Sequence, residues 1–238
     1  MFRLDPKTRL TGNDMLMKTK TLLVLVIMAK SVTGFSQGSF QNLDFEQATL
    51  VPFGNGYSAE DALPSWQAFI GTTPTPTVGL NSLALAATTI SLIALPLPPI
   101  DGNYSVMLEG GVVEMGNVLT PESASISQTA LIPVGTQSLL FKAAAQSGNG
   151  LLNINIGSQN VSYTALSSGP NYTLYGANIS AWAGKTEELT FTASGSSSGI
   201  NPWELDDISF SPNTVTPEPS TLALTALGGF LFGLWRRR

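Results

Sequence analysis

The chain contains no cysteine and no histidine. Without thiols, neither disulfides nor thiolate metal sites hold its fold together. Without imidazoles, most zinc sites and most Ser-His or Cys-His catalysis are closed to it. Cations are nearly as scarce in the middle of the chain. Between residues 37 and 216 only Lys142 and Lys185 face thirteen Asp and Glu, a balance of −11, whereas the whole chain carries −5. Such a segment has no footprint for nucleic-acid phosphates, which demand clustered Lys and Arg, so no nucleic-acid partner is expected. No stretch of it calls for a long amphipathic helix.

What is present is organised from both ends. Lys18 and Lys20 precede the apolar run 22–29, and the small residues Ser31, Gly34 and Ser36 follow. That order of charged, apolar and small is the order of a secretory signal peptide. Residues 1–16 are polar and have no place in such a signal, so Met17 reads as the start and residues 1–36 as a leader. The last segment, 213–238, has three blocks. Pro217, Glu218 and Pro219 make a short extended spacer, because each proline fixes its own φ and drives the preceding residue out of the α region. Residues 221–235 are uncharged and rich in Leu, Ala, Phe and Gly, and Arg236, Arg237 and Arg238 follow. A cationic cluster behind an apolar run keeps that end in the cytoplasm and puts the remainder across the membrane. As a helix the run spans about 22 Å against a hydrocarbon core of about 30 Å, which is short for a permanent anchor.

These three blocks resemble the PEP-CTERM sorting signal of Gram-negative bacteria. The resemblance implies export, transient membrane anchoring through a short C-terminal transmembrane helix, and processing near Pro217–Pro219 by an exosortase-type transpeptidase. The destination would be the cell surface or the extracellular matrix.

Residues 37–212 read as one all-β domain. Leu152, Ile154 and Ile156 alternate with Asn153 and Asn155; Val161, Tyr163 and Ala165 alternate with Ser162 and Thr164; Leu189, Phe191 and Ala193 alternate with Thr190 and Thr192. Period two with one apolar face predicts the strands of a two-sheet sandwich. Further strands are expected at 43–46, 66–70, 104–109, 125–132, 138–145, 172–179 and 205–210, with Gly, Asn, Ser and Pro clusters between them. The stretch 82–95 is ambiguous between helix and strand. Five pieces of the domain together resemble the galactose-binding-like jelly roll used by carbohydrate-binding modules: Asn42-Leu43-Asp44-Phe45-Glu46, Leu63-Pro64-Ser65-Trp66, Asp101 to Val106, Ile126 to Thr129 and Leu205 to Phe210. That resemblance implies a jelly-roll β-sandwich whose first and last strands lie together. It also implies a structural calcium shared by Glu46 and Asp207, with Asp44 and Asp206 beside them.

Catalysis has little to draw on. No base is available to activate a Ser or Thr, and the neighbours Asp206 and Asp207, or Glu187 and Glu188, point to opposite faces if they lie on regular strands. The chain is therefore read as non-enzymatic. A carbohydrate-binding surface would need exposed aromatic rings flanked by amides. Tyr172, Tyr175 and Trp182, beside Asn171 and Asn178, are the candidates, whereas Trp66 and Tyr104 read as core. The leading expectation is an exported surface or matrix protein sorted by an exosortase. A lectin-like module for exopolysaccharide is the first alternative and a glycan-active enzyme the second.

Overall fold

Two of the three alternating segments become strands whose apolar positions all point one way, while in the third Val161 lies outside the strand and Ala165 is exposed. Leu152, Ile154, Ile156, Leu189, Phe191 and Ala193 are buried, and the asparagines and threonines between them are not. In the computed structural model the described residues are 38–82, 87–115, 118–146, 150–197 and 199–215. The leader with its signal peptide, the Pro217–Pro219 block, the apolar run and the arginines lie outside them. The strands in chain order are β1 (Pro52–Phe53), β2 (Gly56–Ser58), β3 (Gln67–Ile70), β4 (Thr73–Pro74), β5 (Thr77–Leu80), β6 (Thr89–Ile93), β7 (Ser105–Met115) and β8 (Val118–Glu122). They continue with β9 (Ala124–Leu131), β10 (Ser138–Ala145), β11 (Leu152–Ile156), β12 (Gln159–Asn160), β13 (Tyr163–Ser168), β14 (Thr173–Asn178), β15 (Thr186–Ala193) and β16 (Asn201–Ser211). One short helix, α1 (Ala59–Ala62), follows β2, with Ser58 capping its first turn. Among the described residues no helix is long and apolar enough to cross a membrane.

The strands form two sheets. One has ten strands in the order β1-β2-β5-β6-β7-β16-β10-β14-β13, with β8 paired to β7, and the other has six in the order β12-β11-β15-β9-β3-β4. The chain is thus a two-sheet β-sandwich, as its alternation predicts. Phe191 on β15 meets Phe141 on β10 edge-on at 5.5 Å and so joins the two sheets, while within the core Phe141 stacks on Tyr175 at 5.4 Å and Trp66 bridges Phe45 and Phe191. Such contacts add about 0.5–1.5 kcal/mol per pair beyond the area they bury.

One further expectation changes and one open reading is settled. Residues 43–46 form tight turns rather than a strand. Phe45 takes a left-handed φ of 57° there, Gln47 donates its backbone N–H to Asn42 Oδ1, and the Asn42 carbonyl accepts the indole N–H of Trp66. The turn drives the Phe45 ring into the core and leaves Glu46 facing out. The ambiguous stretch 82–95 yields a strand, β6, where Thr89, Ile90 and Ile93 prefer one.

The central strand β16 is buried on both faces. Trp203 and Leu205 enter the core, while Glu204 and Asp206, on the outer face, are 5% and 1% exposed. What covers that outer face is the segment 94–104, which folds back over it and positions the site described next.

Candidate functional site

Four acids and one lysine meet where segment 94–104 crosses the middle of β16. Lys142, on β10 opposite Asp206, places its Nζ 2.6 Å from Asp101 Oδ2 and 2.5 Å from Asp207 Oδ2. The same ammonium lies 4.9 Å from the ring centre of Tyr172. Asp206 accepts the backbone N–H groups of Asp101 and Asp207. Glu46 accepts three hydrogen bonds, from the backbone N–H groups of Asn103 and Tyr104 and from Asn103 Nδ2.

The neighbours Asp206 and Asp207 therefore reach the same partner, Asp101, instead of opposite faces. The reason is a β-bulge. Between the pairs Lys142 with Asp206 and Leu140 with Ser209, β16 carries one residue more than β10, and Asp207 sits there at φ 45°. An inserted residue resets the alternation of the strand, which the amino-acid pattern alone does not announce.

The electrostatics follow from burial and partners. Burial disfavours the charge on Lys142, but hydrogen bonds and attraction from Asp101 and Asp207 outweigh it and hold its pKa well above the ordinary lysine value. The Lys142 hydrogen bond, helped by the Gly102 N–H, lowers Asp101. For Glu46 burial works upward, and the donors of Asn103 and Tyr104 overcome it. Asp206 behaves otherwise: burial pushes it up to about 8, against the opposing pull of its two backbone donors.

The expected calcium ligands Glu46 and Asp207 do not fit that ion. Both oxygens of Glu46 are occupied by N–H donors, and Asp207 already holds an ammonium. Calcium takes six to eight oxygens, and among the described residues no group of three or more carboxylates is disposed to hold a metal.

The three expected aromatic ligands are not brought together. Tyr175 packs inward against Phe141, Tyr163 and Trp203. Trp182, on a 3-10 turn at Ser180–Trp182, is half-buried against the core. Tyr172 stands on the other side of β14, over Lys142.

Beside the charged cluster lies a cleft of about 450 Å³ that sequence reasoning missed. Its floor is a row of three residues in register across the sheet: Met107 on β7, Glu204 on β16 and Ala144 on β10. Leu97 and Pro98 form one wall, and Gln146 and Asn171 stand at the rim. Glu204 Oε1 accepts from Ser105 Oγ at 2.5 Å and Oε2 from Gln146 Nε2 at 2.6 Å. Burial raises its pKa, opposed by those donors. The one signal that could have found it is the pairing of Glu204 with Asp206 two residues on, which puts both carboxyls on one face of a strand. A second hollow, about 470 Å³, lies beside β3 and the β1–β2 hairpin, with Phe53, Glu60 and Gln67 exposed at its edges.

No characterised protein matches the chain in sequence. Among solved structures it is similar to TmCBM61, solved in complex with β-1,4-galactotriose, at a TM-score of 0.42 and 14% identity over 74% of this chain and 99% of that one. It is also similar to the enzymatically active domain of tailspike protein 4 of bacteriophage CBA120, at a TM-score of 0.34 and 13% identity over 71% of this chain and 21% of that one. Residues 215–238 match the PEP-CTERM protein-sorting motif, so the chain carries that sorting signal behind its β-sandwich.

Proposed function

We propose that this is an exported, non-enzymatic protein, anchored briefly in the inner membrane, processed by an exosortase-type transpeptidase and delivered to the cell surface or the matrix. The observation that carries the reading is the match of residues 215–238 to the PEP-CTERM motif. The physical logic agrees with it, since an apolar run ahead of three arginines orients the acidic sandwich away from the cytoplasm. Replacing Arg236, Arg237 and Arg238 by Glu and fractionating cells tests it. Loss of surface delivery is expected, and unchanged delivery would overturn the topology.

A second reading gives the delivered sandwich a task, the binding of matrix polysaccharide. The cleft over Glu204 favours it, because a concave, mainly apolar site with a few convergent polar groups is the usual form of a small-ligand site. A glycan-active enzyme would instead need two carboxyls free to work on a substrate, and the Glu204 and Asp206 carboxyls each hold two donors. Incubation with neutral oligosaccharides separates these readings: binding without product supports a module, and release of shortened sugars supports an enzyme.

A further inference from the structure

Among the described residues Glu204 is the only acid in the cleft lining, and it is fixed there. Its two oxygens are held by Ser105 and Gln146, and its strand neighbours Met107 and Ala144 complete a level floor. A carboxylate offers about four acceptor sites, so capacity for a ligand hydroxyl remains after these bonds and the Ile100 backbone N–H. Gln146 spends Nε2 on Glu204 and keeps its carbonyl oxygen. Asn171 spends Nδ2 on the Pro99 carbonyl and likewise keeps its oxygen. The unspent valence of the cleft is therefore chiefly acceptor, and the matching ligand is rich in donors.

The remaining lining narrows the class. Leu97 and Pro98 present apolar surface that suits the C–H face of a ring, with Ile93 and Met107 nearly buried beneath them. Among the described residues no Lys or Arg lines the cleft, and the nearby Lys142 is committed to Asp101 and Asp207. Carboxylated or phosphorylated ligands would find no cation to pair with there. Burial also moves Glu204 toward its neutral form, which favours a hydroxyl partner over an ammonium. The hollow beside β3 lacks this construction, since its acid and amide, Glu60 and Gln67, are exposed to solvent.

Resting on the carbohydrate reading above, we propose that the cleft between segment 94–104 and Asn171, floored by Met107, Glu204 and Ala144, binds one ring of a neutral saccharide. The ring lays its apolar face on Leu97 and Pro98 and points vicinal hydroxyls at Glu204 and the oxygens of Gln146 and Asn171.

The test is calorimetric titration of the full chain, held in a sugar-free detergent, with β-1,4-galactotriose, β-1,4-glucotriose and β-1,4-xylotriose, and with a trigalacturonate. At least one neutral triose should bind, and the trigalacturonate should not. Ala144→Phe, which fills the floor from the outer face of β10, and Asn171→Ala, at an exposed rim position, should each weaken binding about tenfold or more, the worth of one or two hydrogen bonds or of a blocked subsite. Thermal unfolding monitors folding, and Asn171→Ala carries the test should Ala144→Phe not fold. If a neutral triose binds and neither variant weakens it, the cleft assignment falls while the carbohydrate reading stands. If no neutral triose binds, both fall. Tighter binding of the trigalacturonate would overturn the assignment of ligand class.

Discussion

Lys142 is one of two cations in a segment that carries thirteen acids, and the fold spends it where three aspartates converge. Its stem is mostly covered, at 18% exposure, while its partners Asp101 and Asp207 remain 60% and 38% exposed. Lys142→Met keeps the stem and removes the charge. Because both aspartates can turn to water, the loss should be about 1–2 kcal/mol, between a surface pair and a buried one. The same arrangement predicts that neither a chelator nor added calcium moves the unfolding temperature of the natural chain. A calcium-dependent rise would show that a metal, and not this ammonium, neutralises the cluster.

Asp206 gives the pH dependence its sign. In the fold its carboxyl keeps a proton up to about 8, whereas its ordinary value is 3.8. Between those values the folded chain binds more protons than the unfolded one, so this group's contribution is complete below about pH 4 and fades as pH rises to about 8. The slope is at most about 1.4 kcal/mol per pH unit for one proton. Asp206→Asn should flatten that decline in thermal unfolding followed from about pH 5 to about pH 9. A natural chain that grew more stable over that range would contradict the assignment. Glu46 and Asp101, both lowered, act with the opposite sign and only at more acid pH.

At the scale of elements, the outer face of the large sheet is closed by a loop stapled at several points. Asn103 and Tyr104 are held by Glu46, Asp101 by Asp206 and Lys142, and the Pro99 carbonyl by Asn171. Gly102 is the tight place in that loop. It has φ +59°, and a Cβ there would run into the Glu46 carboxylate. Gly102→Ala should therefore cost about 1–3 kcal/mol from backbone strain and from the displaced Glu46. Full stability of this variant in a denaturant titration would mean that Glu46 does not clamp the loop.

The strands legible in the amino-acid pattern are those whose one face meets the core and whose other face is more open: β11, β15 and most of β10. β16 was legible as a strand, but its second buried face was not, because the loop that covers Glu204 and Asp206 is held by backbone donors that carry no sequence signature. The bulge at Asp207 was hidden for the same reason, and with it the meeting of Asp207 with Lys142. β8 escaped notice because all but its last residue is exposed, so no periodic face marks it. Tyr172 and Asn171 were picked out as polar surface near a ligand. Asn171 does stand at the cleft, while Tyr175 serves the core.

For the whole molecule, the sandwich and the tail divide the work. An acidic domain with only two lysines, one of them committed to Asp101 and Asp207, gains nothing from an anionic membrane surface, so in the proposed topology attachment falls to the C-terminal apolar run. That run is about 22 Å long as a helix against a core of about 30 Å, and mismatch of this size is relieved by local thinning of the bilayer or by leaving it. The three blocks should then fail in different ways. Replacing Pro217, Glu218 and Pro219 by Ala, with the arginines intact, removes the extended spacer that a processing enzyme would read and leaves the anchor. The full-size chain should accumulate in the inner-membrane fraction, still bearing residues 221–238 by mass spectrometry. Replacing the three arginines should instead alter the orientation of the chain, so that the sandwich becomes protected from external protease in whole cells and exposed in inside-out vesicles. If the spacer variant reaches the surface at the same size as the natural protein, Pro217–Pro219 is not what the processing enzyme reads, and the apolar run with its arginines would have to be the whole signal.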